Sequence, residues 1–389
     1  MKILFILSRF PYPLEKGDKL RAYHQIKNLS LRHEVILFTL TDTRPAKDAI
    51  EHIKGMCSRV EIYELSKPVI AANLCRSIFS KLPLQVGYFY SAAAQRRLNR
   101  LIAEQKPEHI FCQLIRTAEY AKHYKNIAAT LDYMDVFSKG VQRRMATAPF
   151  FARPLYKLEY KRLAEYEKKI FSYFKNTIII SGQDRDLMKV SEKNKITVIS
   201  NGVDTDYFKP VNEKKDFDIL FNGNMNYPPN IESAEFLVYK ILPLVQKKHP
   251  GVKTLISGIH PAKRILALSS ENVKVSGWVS DIRANFARSK MLVAPMFLSI
   301  GLQNKLLEAM SMQIPCITST LANNALKAED GKSILVADTP EQYAKHIILL
   351  LDNEKRAGEI AMNGYNYVRE NYSWQKETEK LEKLLLAKV

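Results

Sequence analysis

The residues whose types and spacing are best suited to chemistry lie in the segment Met291–Thr320, MLVAPMFLSIGLQNKLLEAMSMQIPCITST. A short apolar run predicts a buried parallel strand, a turn containing Gly301 follows, and spaced apolar residues predict a helix over 304–312. The first backbone amides of such a helix have no partner within it and attract anions. Lys305 lies in that first turn, where the helix dipole disfavours a cation. We therefore expect a phosphate over the turn, with Glu308, three residues later, able to reach a sugar hydroxyl beside it.

The same segment resembles the donor-site signature of the family 4 retaining glycosyltransferases, above all of the bacterial sugar transferases of exopolysaccharide and surface-glycan assembly. The residues that carry the resemblance are Gly301, Asn304, Lys305, Glu308, Ala309, Met310 and Pro315. The resemblance implies that Glu308 binds the ribose of a nucleotide sugar and that Lys305 holds its diphosphate. The turn amides implied to assist are those of Gly301, Leu302, Gln303 and Asn304. From the residues alone, an ordinary βαβ unit with surface charges remains the alternative.

Two further loops are similar to donor-site loops of that family. Gly223 and Asn224 follow a predicted strand and resemble the donor-phosphate loop, although the family at large often has an arginine after the glycine. With Asn224 in that place, more of the diphosphate charge falls to Lys305. Trp278 and Val279 are expected to meet the nucleotide base, largely through backbone groups.

One position departs from the family pattern. The family at large carries two glutamates eight positions apart, and the first of them would fall at Ile300. An isoleucine side chain cannot hydrogen-bond a sugar hydroxyl. Either the sugar is held by other groups, such as the amides of the turn that begins at Gly301, or the protein has lost activity.

The acceptor side is predicted in the first half of the chain. The loop PYPLEKGDKLR resembles a family segment in which Lys16, Gly17, Asp18 and Arg21 face the acceptor, and Asp18 is also a candidate helix cap. This loop is also consistent with a capped helix that carries solvated lysines.

A second acceptor segment follows the strand predicted over 128–132. Polar groups just beyond the carboxyl end of a strand are where open α/β sheets place function. Asp132 and Asp135 lie there and resemble acceptor-facing carboxylates of the family. A capping role is the alternative for Asp135.

Strand and helix patterns alternate through the whole chain of 389 residues, which predicts parallel sheets with helical crossovers. The fold class is α/β. The resemblance implies two Rossmann-like α/β/α domains facing each other across a cleft, the GT-B arrangement. We expect an acceptor-binding domain over 1–205 and a nucleotide-sugar-binding domain over 206–370. A terminal helix is predicted over 365–386, with residues 371–389 packing back on the first domain.

Composition limits the class of protein. The sequence contains no run of 18 uncharged apolar residues, so no transmembrane helix is predicted. The N-terminal apolar run is too short for a signal peptide. The four cysteines form no metal or redox pattern and are expected to be reduced, as in a cytoplasmic protein. No His, Cys or acidic spacing indicates a metal, and no cofactor is expected besides a UDP- or GDP-linked donor substrate.

The net charge of +19 is concentrated in the first half, where residues 1–205 hold 35 Lys and Arg against 20 Asp and Glu. Such asymmetry indicates an anionic partner, and nucleic acid, anionic lipid and a diphosphate-linked substrate all qualify. The predicted helical region over 141–175 is strongly basic, and one hypothesis is that it rests on the anionic inner face of the cytoplasmic membrane. A merely solvated helix face is the alternative. No nucleic-acid-binding module is present in the sequence.

The function implied is metal-independent transfer of a hexosyl group, with retained configuration, to a glycan or lipid-linked acceptor in surface polysaccharide assembly. Lys305, Glu308 and Asp132 are the candidate catalytic residues. Alternatives that the sequence leaves open are an inactive GT-B scaffold, a nucleic-acid-binding protein and a nucleotide-sugar epimerase.

Overall fold

The computed structural model describes residues 1–297 and 301–387 of the chain. The chain folds into two α/β units, the first formed by Met1–Ser200 with the chain from Trp374 onward, and the second by Asn201–Ser373. The predicted boundary, between residues 205 and 206, differs from this one by five residues. A long-range hydrogen bond explains the earlier boundary, because the amide of Ser200 donates to Glu377 Oε2 (2.8 Å) within the first unit.

The first unit is built on a parallel sheet with the strand order β3-β2-β1-β4-β5-β6-β7. Its strands are β1 Lys2–Leu7, β2 Glu34–Thr41, β3 Arg59–Glu64, β4 His109–Gln113, β5 Ala128–Asp132, β6 Asn176–Ile179 and β7 Thr197–Val198. Its helices are α1 Gly17–Leu29, α2 Lys47–Lys54, α3 Lys67–Phe79, α4 Leu84–Phe89, α5 Ala92–Gln105, α6 Ala118–Ala121, α7 Phe137–Thr147, α8 Arg153–Ile170 and α9 Gly182–Leu187. The alternation predicted from the sequence is therefore present in this unit.

The two faces of this sheet are covered by two apolar cores. Successive strand residues point to opposite faces, so Leu4 belongs to one core and Phe5 to the other. The C-terminal helix α18, Trp374–Leu386, inserts Leu381 and Leu385 into the core that contains Phe5. Each such buried leucine contributes roughly 2 kcal/mol of transfer free energy. This burial explains why the end of the chain belongs to the first unit.

The second unit repeats the design with the strand order β10-β9-β8-β11-β12-β13. Its strands are β8 Phe217–Asn222, β9 Thr254–Ser257, β10 Val273–Gly277, β11 Ser289–Ala294, β12 Cys316–Thr318 and β13 Leu335–Val336. Its helices are α10 Pro228–Phe236, α11 Leu242–Gln246, α12 Lys263–Leu266, α13 Ile282–Ala287, α14 Asn304–Ser311, α15 Thr320–Leu326, α16 Pro340–Asp352 and α17 Glu354–Asn371. A π-helical turn, Leu237–Ile241, joins α10 to α11.

The prediction of a single terminal helix over 365–386 is wrong in one respect, because two helices, α17 and α18, cover these residues. The chain leaves helical geometry at Tyr372, whose hydroxyl donates to the carbonyl of Leu326 (2.6 Å) and whose carbonyl accepts from the amide of Val203 (2.8 Å). No glycine or proline marks this point in the sequence. The break is imposed by these tertiary hydrogen bonds, at the place where the chain passes from the second unit to the first.

Candidate functional site

The strand order of the second unit defines where a ligand would bind. Chain connections from β8 lead towards one edge of the sheet and those from β11 lead towards the other, so the neighbouring carboxyl ends of β8 and β11 form a topological switch point. Open α/β sheets bind ligands in the crevice at such a point. The loop after β8 begins at Gly223, and the segment after β11 leads through Gly301 into α14. The structure therefore brings together the two segments that the sequence analysis assigned to the donor phosphates.

The loops after β8 and β9 lie so close together that glycines are required at Gly223 and Gly258. A Cβ atom on Gly258 would lie 1.6 Å from the carbonyl oxygen of Gly223, so the two backbones can approach each other only without that side chain. A Cβ atom on Gly223 would lie 3.2 Å from Nζ of Lys305 and 2.7 Å from Nδ2 of Asn230. The backbone of Gly223 therefore lies directly beside the lysine that we predict to hold phosphate.

Lys305 extends from the second residue of α14 into the interior of the unit, and the residue is only 8% exposed. Its Nζ atom donates to Oδ1 of Asn230 (3.0 Å), and it lies 3.8 Å from Sδ of Met296 and 4.5 Å from the ring centre of Phe221. Among residues 1–297 and 301–387, no carboxylate forms an ion pair with it. A buried ammonium without a counter-charge is costly. This corner of the second unit therefore has a cation in place and lacks an anion.

Burial lowers the pKa of Lys305 to about 7, and the neighbouring Glu308 carboxylate only partly offsets that effect. The protein atoms around Glu308 raise the pKa of its carboxyl group, although solvent reaches the half-buried side chain, and Lys305 acts in the opposite direction. Within the described part of the chain, the carboxyl group of Glu308 makes no hydrogen bond or ion pair. Its oxygens are therefore available to accept hydrogen bonds from ligand hydroxyls.

The N-cap residue of α14 does not cap the helix with its side chain. Gln303, the N-cap residue, has an extended backbone and makes no capping hydrogen bond with its side chain, and its Nε2 donates to the carbonyl of Gly301 (3.2 Å). Gly301 has φ 98°, which favours glycine at that turn. Asn304 accepts a hydrogen bond from Nδ2 of Asn201 (3.2 Å), and Leu302 is buried. Gln303 therefore leaves the amides at the start of α14 without a cap from its side chain, as an anion site at a helix N-terminus requires.

The remaining donor candidates lie on neighbouring strand ends. Asn224 is half-buried, and its carbonyl accepts a hydrogen bond from Nδ2 of Asn230 (2.9 Å). The amide of Gly258 donates to the carbonyl of Gly277 (3.1 Å), which places the segment containing Trp278 and Val279 next to the loop after β8. Trp278 is 65% exposed, so its ring has no place in the core. Ile300, where the family pattern has a glutamate, lies outside the described residues.

Asn230 is a site residue to which the sequence analysis gave no role. It accepts the hydrogen bond of Lys305 and donates to the carbonyl of Asn224, so it connects α14 to the loop after β8. Its position in the first turn of α10, just after Pro228 and Pro229, was visible in the sequence. No local signal indicated that its side chain meets a lysine 75 residues away.

In the first unit, the loop after β1 carries the predicted acceptor residues. Lys16 and Gly17 are exposed, and Lys16 is the N-cap residue of α1 without a side-chain cap. Asp18 does not cap α1 as predicted, because the helix already begins at Gly17. Its carboxylate instead accepts a hydrogen bond from Nη1 of Arg9 (2.7 Å), which fixes the loop against the end of β1.

Arg21 and Asp132 do not present free groups to an acceptor, contrary to their predicted roles. Both side chains are fully buried, and Nε of Arg21 lies 2.5 Å from Oδ2 of Asp132. Asp132 Oδ1 also accepts from the amide of Met134 (3.0 Å), and Nη1 of Arg21 donates to the carbonyl of Ser200 (3.1 Å). These hydrogen bonds join α1 to the ends of β5 and β7, so the geometry assigns the pair a structural role. Asp132 is accordingly withdrawn as a catalytic candidate.

Asp135 remains exposed, as an acceptor-facing carboxylate requires. The surrounding protein atoms and then the carboxylate of Asp184 raise the pKa of Asp135, although solvent reaches its side chain. Arg116, which the sequence analysis did not consider, acts in the opposite direction on that pKa. Its guanidinium lies between the rings of Phe89 (5.2 Å) and Phe137 (5.1 Å). Arg116 follows the carboxyl end of β4, and that position was the signal available in the sequence.

The described residues offer neither a metal site nor a membrane-spanning helix. Within residues 1–297 and 301–387, no three His, Cys, Asp or Glu side chains are grouped as they would be around a metal ion. In the same ranges, none of the helices combines the length and apolar character needed to cross a membrane.

Comparison with known proteins agrees with the architecture of the second unit. Residues 216–353 match the model of the family described as "Glycosyl transferases group 1". A 44.6 kDa uncharacterized protein in the cps region of Klebsiella pneumoniae is 22% identical over 96% of this chain and 97% of its own length.

Solved structures of similar fold span both units. Sucrose-phosphate synthase from Thermosynechococcus elongatus superposes with a TM-score of 0.72 at 14% identity, covering 99% of this chain and 98% of its own. HepE from Anabaena, solved in complex with UDP and glucose, superposes with a TM-score of 0.70 at 13% identity over 100% of both chains. Residues 216–353 therefore match a group 1 glycosyl transferase domain, and the chain has the GT-B fold of these solved structures.

Proposed function

We propose that the protein transfers a hexosyl group from a UDP- or GDP-linked sugar to a glycan or lipid-linked acceptor, with retention of the anomeric configuration, in surface polysaccharide assembly. The observation that carries the proposal is the buried Lys305 ammonium at the switch point of the second unit, for which the described residues supply no carboxylate partner. A diphosphate supplies the missing negative charge. The start of α14 supplies backbone donors for the same phosphates.

The chemistry requires charge stabilisation above all. When the bond between sugar and diphosphate breaks, negative charge develops on the departing phosphate oxygens. Lys305 and the first amides of α14 are held in position before the reaction, and such preorganised donors stabilise developing charge most effectively where water is excluded. The configuration is retained without a protein nucleophile if the acceptor hydroxyl attacks the sugar on the same face that the diphosphate leaves. An oxygen of the departing phosphate then takes the proton of that hydroxyl.

The other residues are assigned by their exposure and free groups. The carboxyl group of Glu308, unpaired among the described residues, accepts hydrogen bonds from the hydroxyls of the donor ribose. The exposed Trp278 and its neighbour Val279 contact the base, and Gly223 and Asn224 line the diphosphate. The proposal is metal-independent, since Lys305 and the helix amides take the charge-neutralising role that a divalent cation has in other transferases.

The comparisons support the proposed nucleotide-sugar donor and the proposed role in polysaccharide assembly. The Anabaena structure of the same fold is described as a complex with UDP and glucose, which favours a uridine-linked sugar. The relative in the cps region of Klebsiella pneumoniae favours a role beside other proteins of a polysaccharide cluster. Lys16, Gly17 and Asp135 are the exposed residues assigned to the acceptor. A cytoplasmic location, with peripheral contact to the anionic inner membrane face, is included because the charge of +19 is concentrated in residues 1–205.

Donor hydrolysis and sugar transfer by the purified protein test this proposal. Lys305→Met keeps the length of the side chain and removes the charge, and it should reduce turnover about 10²-fold or more, as loss of one preorganised donor does. The matched control is Lys240→Met, an exposed lysine of the same unit. Absence of turnover with every UDP- and GDP-sugar offered would favour an inactive scaffold, and equal turnover of both variants would remove Lys305 from the mechanism.

A further inference from the structure

An unusually exposed apolar helix lies on the first unit. The helix α3 has the sequence KPVIAANLCRSIF, and among its thirteen described residues only Ser77 is buried. Ile78 is exposed, and Phe79 at the end of the helix is 91% exposed. Apolar helices of soluble proteins normally bury one face. The exposure of α3 therefore indicates a partner for that face.

A second exposed apolar segment precedes and begins α8. Phe150 and Phe151 are 82% and 74% exposed, and their rings meet edge to face at 5.8 Å. Leu155 and Leu158 of α8 are also exposed, and their spacing places them on one side of the helix.

Arg162 joins the two segments into one surface. It lies four residues after Leu158 on the same side of α8, and its Nη1 and Nη2 atoms donate to the carbonyls of Ser77 and Ile78, each at 2.8 Å. The C-terminus of α3 is thereby held beside the exposed leucines of α8. We call the combined patch the apolar surface, and its residues are Ile78, Phe79, Phe150, Phe151, Leu155 and Leu158.

The charges around the apolar surface are mostly positive. Five exposed cations on α3, on α8 and just after α3 are Lys67, Arg76, Lys81, Lys157 and Lys161, and α8 also exposes Arg153, Lys168, Lys169 and one acid, Glu165. Within the described part of the chain, none of these five forms an ion pair. Residues 66–81 contain no acid, and Glu159 of α8 is buried with its carboxylate accepting from the amides of Leu84 (3.0 Å) and Gln85 (3.4 Å). The surface that solvent meets is therefore apolar at its centre, and most of the exposed charges around it are positive.

We propose that the apolar surface binds an anionic lipid bilayer, with Phe79, Phe150 and Phe151 entering the headgroup region and the lysines contacting acidic headgroups. An apolar face surrounded by Lys and Arg is the pattern of segments that lie in the membrane interface. The inference rests on the proposed function in one respect, since a lipid-linked acceptor gives the protein a reason to be at the membrane.

A second copy of the chain or another protein fits this surface less well. Cores of protein interfaces are depleted in lysine, whereas lysines with long apolar stems are suited to the boundary between lipid tails and headgroups. Each basic residue near an anionic membrane strengthens binding about fivefold. The charge complementarity therefore favours anionic lipid.

Vesicle flotation of the whole protein tests the proposal. Vesicles of phosphatidylcholine are compared with vesicles that also contain phosphatidylglycerol, and binding is expected only to the second kind. The triple variant Phe79→Ser, Phe150→Ser, Phe151→Ser should lower the partition coefficient tenfold or more, because binding scales with buried apolar area. Lys81→Gln, Lys157→Gln and Lys161→Gln together should lower it on anionic vesicles by about two orders of magnitude. Tyr239→Ser with Leu266→Ser, exposed apolar residues of the second unit, is the matched control and should bind like the wild type.

The outcomes separate membrane binding from sugar transfer. The triple variant should hydrolyse a nucleotide sugar in solution at the wild-type rate, and Lys305→Met should float like the wild type. Equal binding to neutral and anionic vesicles, or no binding to either, overturns the proposal. A concentration-dependent dimer that the triple variant abolishes would also overturn it, because the apolar surface would then be an interface between copies.

Discussion

The ammonium of Lys305 lies 3.0 Å from the amide oxygen of Asn230, so the hydrogen bond of this buried cation goes to a neutral group. Asn230 orients the ammonium without neutralising it. A carboxylate at that distance would occupy the position of a phosphate and compete with it. Whenever Lys305 is protonated, its charge therefore stays uncompensated in the folded protein until a ligand supplies the anion.

The first prediction concerns stability. Burial lowers the pKa of Lys305 from 10.5 to about 7, which means that the folded state disfavours its protonated form. Lys305→Met removes this cost, and we expect the free energy of unfolding to rise by a few kcal/mol at most near pH 7, since one pKa unit corresponds to about 1.4 kcal/mol. The measurement is a urea titration of the wild type, Lys305→Met and Lys240→Met. The exposed control should change stability by no more than about 0.5 kcal/mol.

The pH dependence of that gain has a definite sign. Between the folded pKa of about 7 and the unfolded value of 10.5, the unfolded chain binds the proton and the folded chain does not, so wild-type stability rises with pH. The advantage of Lys305→Met should therefore be largest below pH 7 and shrink as the pH rises towards 10.5. An advantage that stays constant across this window would show that Lys305 keeps an ordinary pKa in the folded protein.

The second prediction concerns proton uptake on ligand binding. At about pH 8, one unit above its pKa, free Lys305 is largely neutral, and a diphosphate beside it should raise that pKa and draw in up to about one proton. A nucleotide sugar is the suitable ligand, because its diphosphate has no group that titrates near this pH. Calorimetry in buffers of different ionisation enthalpy measures the uptake.

Two variants identify the side chain that takes up this proton. In Lys305→Met the uptake should disappear together with most of the affinity. In Glu308→Gln the uptake should persist, because the carboxyl group has been removed and the lysine has not. Proton uptake that survives in Lys305→Met and vanishes in Glu308→Gln would identify the carboxyl group as the titrating residue.

The local part of the donor site could be predicted from the sequence. The strand before Gly301 and the helix from Asn304 follow from apolar spacing over a few residues, and the structure has both elements within about two residues of the predicted bounds. The uncapped helix start also follows from local sequence. The depth of Lys305 does not, because it depends on Phe221 and Asn230, which come from another strand and another helix.

The pairing of Arg21 with Asp132 could not be predicted in the same way. The two residues are 111 positions apart, and each follows a pattern that equally well describes an exposed ligand-binding group. Both side chains are buried because α1 packs against the carboxyl ends of the strands, and this packing is not visible in the local sequence. The exposure of α3 is a similar case, because an apolar helix normally buries a face and nothing in the local sequence indicates that the neighbouring elements leave this one uncovered.

The third prediction concerns the close approach of two loops. Gly258→Ala places a Cβ atom 1.6 Å from the carbonyl oxygen of Gly223, at a backbone φ of 151°, so the backbone of the donor loop must move. We expect a loss of roughly 2–4 kcal/mol in unfolding free energy, together with weaker nucleotide-sugar binding. Gly251→Ala is the matched control, because its Cβ meets nothing within 4 Å. Thermal unfolding with and without a nucleotide sugar measures both effects, and equal melting temperatures for the two variants would contradict the predicted clash.

The fourth prediction distinguishes a structural from a catalytic role for Asp132. Asp132→Asn keeps an acceptor for the amide of Met134 and leaves the buried Arg21 guanidinium without its counter-charge. Removing one partner of a buried ion pair costs about 3–5 kcal/mol. We therefore expect a large fall in the urea midpoint, with turnover per folded molecule unchanged within about threefold.

The double variant Arg21→Met with Asp132→Asn provides the matching control for this prediction. Replacing both members of a buried pair is far less costly than removing one, so the second substitution should recover much of the lost stability. A catalytic carboxylate would behave differently, because turnover would fall by about 10²-fold or more in both variants and would not return with stability. That result would show that Asp132 takes part in the mechanism and that its ion pair with Arg21 contributes to catalysis.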